Sequence, residues 1–316
     1  MTLEADQLQR FLLERLGVRG ELVRLDASWR ALLERHPYPP AVRQPLGEAL
    51  VSAVLLSATL KFKGSLTLQA RGDGPLHTLI AQATHERTLR GLARWREPLQ
   101  QSSQLADLLG PAQLVMTIEP DDGHSYQGVV PLQGDSMAAA IGHYFDVSEQ
   151  LPTRLWIAIG ESSAFGLLLQ RLPDQPSKNP TEDPTVNGAA NGAANAPDDP
   201  ESDEDAWDRC QLLADTLSST EMLQLPFNQL LHRLFHTDQV RVFEPEPVAF
   251  RCTCSRGRIA TTLRALGHND LNALIAERGS VEVTCEFCNR EYRFDAVDVS
   301  ELFATSVPSA APSQRQ

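Results

Sequence analysis

The chain has 316 residues, 42% of them hydrophobic and 22% charged, a balance that suits a soluble protein of about two domains. No stretch approaches the ~18 apolar residues of a membrane span, and the acidic start Met1-Thr2-Leu3-Glu4-Ala5-Asp6 lacks the pattern of a secretory signal, so a cytoplasmic location is expected. The net charge of −13 argues against a general nucleic-acid binder, although nine acidic residues and one lysine between Asp174 and Ala206 supply most of it.

In chain order, Leu3, Leu8, Phe11, Leu12 and Leu16 recur at helical spacing and stop at Gly17, which predicts a helix over 3–16. Val18 to Leu25 reads as a strand. Ala27 to Arg35 reads as a second helix with Asp26 as its N-cap, and a long helix follows Pro39-Pro40 with a small-residue apolar face. From Lys61 the period shortens. Strands are predicted around Leu66–Ala70, Pro75–Ala83, Thr88–Trp95, Leu114–Ile118 and Tyr126–Val130, then a helix over Ser136–Val147. Leu155–Ile159 and Gly166–Gln170 read as paired strands about Glu161-Ser162-Ser163. Helices and strands mix without regular βαβ alternation, which predicts an α+β fold on antiparallel sheet, with packed helices. No dinucleotide fingerprint, phosphate loop or nucleophile elbow occurs, and no catalytic constellation is expected.

Residues 173–206 change character. Six prolines, the near-repeat Asn187–Ala194 and the acidic run Asp198–Asp205 leave too little apolar surface to offset ordering entropy, so a disordered acidic insertion is expected. From Trp207 helical spacing resumes through Leu212, Leu213, Leu217, Leu223 and Leu225. After Pro226 it continues through Leu230, Leu231, Leu234 and Phe235. Short isolated helices are marginal in water, so these must dock on something. His232 and His236 share a face but lack the glutamate of a zincin helix. Val240–Phe243 reads as a strand.

The stretch that carries chemistry comes last. Cys252-Thr253-Cys254 and Cys285-Glu286-Phe287-Cys288 hold four of the five cysteines; Cys210 is assigned no role. Two tight pairs that a folded hairpin could join match a four-thiolate zinc site, and equally two dithiols poised to become disulfides. Around them, Ile259–Leu266 and Asp270–Arg278 read as helices, the second capped by Asn269. Val281–Val283 and Tyr292–Phe294 read as a hairpin. The core (Ile259, Leu263, Leu266, Leu271, Leu274, Ile275, Val283, Phe294) is thin. A structural zinc contributes roughly 10–16 kcal/mol, so metal is expected to decide whether this module folds. Arg251, Arg256, Arg258, Arg290 and Arg293 either hold the sulfurs as thiolates, form a solvated face, or pair with Glu282, Glu286 and Glu291.

At these residues the chain resembles the redox-regulated heat-shock chaperone family, heat-shock protein 33. C-x-C followed about thirty residues later by C-x-x-C marks that family. The likeness extends through Val18–Val23, Ala58–Phe62, Gln69–Pro75, Tyr126–Val130 and Glu149–Leu155. The resemblance implies an N-terminal substrate-binding and dimerisation domain (1–172), the insertion (173–206) and a redox-sensitive helical linker (207–243). A small four-cysteine zinc domain (244–304) and a flexible tail (305–316) complete the chain. It implies an ATP-independent holdase, not an enzyme, with one Zn2+ per reduced chain on Cys252, Cys254, Cys285 and Cys288. Under oxidative stress the pairs Cys252–Cys254 and Cys285–Cys288 would become disulfides and the linker would loosen. Leu212, Leu213, Leu217, Leu223, Leu225, Leu230, Leu231, Leu234 and Phe235, or the surface they cover, would then meet unfolding client proteins. The family forms a homodimer when active and passes clients to ATP-dependent foldases; neither nucleic acid nor membrane is implied. A zinc-ribbon module bound to nucleic acid or ribosome, a thiol–disulfide oxidoreductase using Cys285 and Cys288, and a purely structural zinc site are the competing readings.

Overall fold

The computed structural model describes residues 6–61, 63–99, 104–173 and 203–304. These fall into two units, Met1–Phe250 and Arg251–Gln316. The first is organised by the helix Pro40–Thr59 (α2), whose residues from Leu46 to Ala58 are all buried. A helix apolar on every side must be enclosed, and two sheets enclose this one. Gly91 and Gly166 let it lie flush on both: a Cβ at the first would run into Leu50, and at the second into Val51 and Leu55.

One sheet is built from β1 (Gln7–Leu13), β2 (Val18–Leu25), β8 (Thr153–Ile159), β9 (Ala164–Arg171) and β10 (Val240–Val242), in the order β10-β1-β2-β9-β8, all antiparallel. The short strand β11 (Glu246–Pro247) also pairs with β1. The other sheet runs β12-β5-β4-β3-β6-β7. Its strands are β3 (Gly64–Gly72), β4 (Leu76–Thr84), β5 (Thr88–Trp95), β6 (Ala112–Pro120), β7 (Tyr126–Pro131) and β12 (Ala249–Phe250). Only β12 is parallel to its neighbour, β5. The strands β11 and β12 tie residues 246–250 into the first unit, so the second begins at Arg251 rather than Glu244. Helices α1 (Ala27–Arg35), α3 (Leu105–Leu109) and α4 (Met137–Tyr144) complete the layer between the sheets.

Two local expectations in the first unit are corrected. In place of the helix predicted over 3–16, the residues described from Asp6 onward form β1 followed by a single 3-10 turn, Glu14–Leu16, that ends on Gly17 at φ 58°; residues 3–5 lie outside the described residues. Its apolar residues mimic helical spacing because both strand faces are covered: Leu8 packs towards α2, while Phe11 and Leu13 point the other way. The cap of α1 is not the Asp26 side chain. The Asp6 carboxylate, remote in sequence, accepts from the backbone N–H groups of Asp26, of Ala27 (2.8 Å) and of Ser28 (2.6 Å).

Three further helices, α5 (Asp203–Asp215), α6 (Ser219–Gln224) and α7 (Phe227–Phe235), cover the outer face of the first sheet. The insertion expected over 173–206 lies outside the described residues except for Pro173 and its end, which forms the first turn of α5 with Ala206 buried. The tail after Thr305 also lies outside them. In the second unit, α8 (Arg256–Leu266), α9 (His268–Arg278), the hairpin β13 (Val281–Thr284) and β14 (Glu291–Phe294), and α10 (Ala296–Ala304) share a small core. Ser255 caps α8 by accepting from the Arg258 N–H. Asn269 caps nothing, because α9 starts at His268 after Gly267. Leu266, expected in this core, is exposed, and α10 supplies Val299 instead.

Candidate metal centre and the covered sheet face

The second unit brings the four cysteines together from an irregular segment and a turn. One follows the last strand of the first unit. The other is a tight reversal between β13 and β14, in which Cys285 N–H donates to the Arg290 carbonyl and Asn289 N–H to that of Cys285, with Asn289 at φ 57°. The sulfurs of Cys252, Cys254, Cys285 and Cys288 all lie within 4.8 Å of one another. A tetrahedral ion with metal–sulfur bonds of about 2.3 Å sets its sulfurs about 3.8 Å apart. The Cys252–Cys285 separation is 3.7 Å and the Cys254–Cys288 separation 3.3 Å, so this donor set fits one tetrahedral ion. Both of these distances run between the two motifs rather than within them.

The four thiols are not alike. Burial pushes Cys252 upward and Cys288 to about 12. Burial also acts to raise Cys254, but hydrogen bonds outweigh it and bring this thiol down to about 7. The largest of those comes from the Tyr292 hydroxyl, which donates to Cys254 Sγ at 3.1 Å. Such a thiol is substantially thiolate near neutrality, the form that binds metals and meets oxidants. The arginines divide. Arg256 is structural: it pairs with Asp298 (2.6 Å), donates to the Arg293 carbonyl and lies 4.2 Å from the Phe294 ring centroid. Arg293 faces Glu282 at 3.7 Å. Tyr292 carries no signal in the cysteine spacing, and only its place on β14 reveals it.

In the first unit, Phe11, Leu13, Val18, Leu22, Ala158, Phe165, Leu167 and Leu169 form the outer sheet face, buried beneath Trp207, Cys210, Met222, Phe227 and their neighbours. Of the linker residues singled out from sequence, Leu217, Leu230, Leu231, Leu234 and Phe235 are buried against this face, and Leu213, Leu223 and Leu225 are partly buried at its margin. Leu212 does not belong with them: it is 68% exposed. His232 and His236 are solvent-facing, with ring centroids 5.8 Å apart. Polar contacts fix the helices in place. Ser218 and Glu221 form a capping box, Trp156 Nε1 donates to Asp215 (2.7 Å), and Arg209 grips Asp238 with both terminal nitrogens (3.1 and 2.9 Å). Arg24, 1% exposed on β2, donates to the carbonyl oxygens of Met222 (2.8 Å) and Leu225 (2.7 Å).

An α+β unit with a helix-covered sheet face, followed by a module built on four clustered thiols that could hold a metal ion, defines the class of protein that the described residues form. The family model described as Hsp33 protein matches residues 6–295, and the chain belongs to that family. It is 49% identical to the 33 kDa chaperonin of Nitrosococcus oceani, over 98% of each chain. It is 42% identical to that of Edwardsiella ictaluri, over 97% of each. The crystal structure of the 33 kDa chaperonin of Thermotoga maritima superposes with a TM-score of 0.78. That match covers 96% of this chain and 99% of that one at 23% identity, and shows the shared fold. The chain is accordingly a chaperone and not an enzyme.

Proposed function

We propose that this chain is an ATP-independent holdase switched by the redox state of its four clustered thiols. The observation that carries the reading is the cluster itself, set in a module whose core is too thin to be self-sufficient. Bound Zn2+, one per chain on Cys252, Cys254, Cys285 and Cys288, would cross-link the two cysteine segments of the module and offset two of the four thiolate charges. On meeting a peroxide, each pair, Cys252–Cys254 and Cys285–Cys288, loses two electrons and forms one S–S bond. One hydrogen peroxide per pair takes those two electrons with two protons and becomes two waters, so the two disulfides consume two peroxides. All four ligands are thereby consumed.

Without its cross-link the module unfolds, and the linker (about 207–243) loses its hold on the sheet. Leu213, Leu217, Leu223, Leu225, Leu230, Leu231, Leu234 and Phe235, with the sheet residues beneath them, then form a surface for unfolding proteins. The oxidised chain acts as a homodimer in the cytoplasm, and reduction returns clients to ATP-dependent foldases. Peroxide with mild heat should release one zinc per chain, consume four thiols, raise binding of an apolar dye and suppress aggregation of a denaturing client. Zinc release without suppression of aggregation would refute the reading.

A further inference from the structure

Between the two sheets α2 ends at Thr59, and Leu60 turns to extended backbone. At that end, against Leu56, Thr59 and Leu60, the sheets face each other across a cavity of about 470 Å³, lined only by residues of the first unit. Its two sheet walls differ. On the second sheet Leu66, Ile118 and Tyr126 stand in register on β3, β6 and β7. On the first the corresponding row is Arg19, Gln170 and Thr153, on β2, β9 and β8, of which Arg19 and Gln170 line the cavity.

The polar wall is fixed by its own hydrogen bonds. Gln170 Nε2 donates to the Thr153 hydroxyl (2.6 Å), which turns its Oε1 to accept from a terminal nitrogen of Arg19. Arg19 Nε is sealed from solvent without an acceptor, so an incoming group would meet the terminal nitrogens. The carboxyl of Glu21 acts on this guanidinium, but burial pushes it up to about 8. Near neutrality it is mostly protonated and leaves the cation uncompensated. At the rim, Tyr144 donates to Glu149 Oε1 (2.8 Å), and the half-exposed Tyr126 donates to the same oxygen (3.4 Å). Gly128 makes room for Tyr144, because a Cβ there would lie 2.7 Å from its hydroxyl.

We propose that this cavity binds a small carboxylic acid with an apolar chain, its carboxylate on Arg19 and its chain along Leu66, Met116 and Ile118. The volume falls within the ~300–1,000 Å³ of small-molecule sites, which are mostly apolar with a few placed polar groups. A guanidinium has donors to spare after serving one amide oxygen, and it pairs strongly with carboxylates. One cation offsets one charge. A phosphate monoester, at about −1.5 to −2 near pH 7, would bring surplus charge into an apolar space. The exposed carboxylate of Glu149 repels an anion at the rim, which places the head at Arg19.

The test uses reduced full-length protein with zinc, titrated calorimetrically with decanoate, decanol or decyl phosphate below their micelle concentrations. A hydrogen-bonded charge partner is worth about tenfold or more in affinity, so wild type should bind one decanoate per chain about tenfold more tightly than either alternative. Arg19→Gln should bring decanoate down to the level of decanol. Ile118→Trp, which fills the space, should abolish binding of both. No decanoate binding, decanol bound as tightly by wild type, or decanoate binding that survives Ile118→Trp overturns the proposal. Decyl phosphate bound more tightly than decanoate overturns the choice of a carboxylate. Those outcomes need no Arg19 variant and decide if Arg19→Gln fails to fold. If Ile118→Trp fails instead, an undiminished preference for decanoate in Arg19→Gln overturns it.

Discussion

In the first unit α2 is enclosed between two sheets, and the layer around it buries Leu46, Leu50, Val54, Leu55 and side chains from both sheets. In the second unit three helices and a hairpin share only a few fully covered apolar residues, among them Leu263, Leu271, Phe294 and Val299, with Cys285 counted in that core. The contrast follows from size: a short segment cannot enclose enough apolar surface to offset its ordering entropy and leans on a cross-link. A protein divided in this way can lose one part while keeping the other. The first unit can remain a scaffold through events that dismantle the second.

Metal removal should give the largest effect. On the proposed zinc reading, stripping the ion would forfeit roughly 10–16 kcal/mol of apparent binding free energy, more than a module of this kind holds in reserve. Chelation, or Cys285→Ser, should abolish hydrogen-exchange protection in α8, α9 and β13–β14 while α2 and β2 stay protected. If α8 and α9 keep their protection without metal, the two units do not differ as argued.

The contrast was partly legible in the sequence. The thin C-terminal core, the two cysteine pairs, the long apolar helix and most strands could be read because each is local: a period, a turn or a spacing. What was missed depends on partners distant in the chain. β1 looked helical because its two faces meet different layers, Leu8 on one side and Phe11 with Leu13 on the other. The α1 cap comes from Asp6. Arg24 was not singled out in the sequence, because only the docked linker turns its strand face into an interior. Tyr292 beside Cys254, like α10 beneath the module, follows from tertiary packing alone.

The first unit also contains an exception to its apolar rule. Glu21, on β2, is 2% exposed, and one of its carboxylate oxygens has no hydrogen-bond partner. Burial pushes it to about 8, against the pull of Arg19, Arg87 and Arg10 and with some help from Glu246. The folded state therefore holds a proton that the unfolded chain releases near pH 4.5. Stability from this group is fully present below that pH and is lost as pH rises towards 8. At ~1.4 kcal/mol per unit of pKa, the whole window is worth at most about 5 kcal/mol. Urea midpoints at pH 5 and pH 8 should converge in Glu21→Gln. Equal slopes in variant and wild type would show that the carboxyl finds a partner when charged. A smaller loss, about 1–2 kcal/mol, is expected for Asp6→Ala, which strips the start of α1 of its acceptor. It should appear in the first unit's urea transition and leave zinc affinity unchanged, whereas a change in zinc affinity would mean the units are less separable than their cores suggest.

The smallest effect, that of Leu212→Ser, comes from a contrast within the linker itself. Leu212 and Leu230 are alike in chemistry and both sit on helices of the same segment, but Leu230 is fully buried against the sheet and Leu212 is 68% exposed. Replacing an exposed leucine removes no packing, so Leu212→Ser should shift stability by less than about 0.5 kcal/mol. Leu230→Ala, which opens a cavity, should cost about 2–5 kcal/mol of the linker's hold on the sheet. In the reduced, zinc-loaded protein this predicts ordinary protease resistance for the first variant and cleavage near α7 for the second. If Leu212→Ser alone frees the linker, Leu212 must be gripped by something outside the sheet face, and apolar residues of this segment could not be sorted by burial.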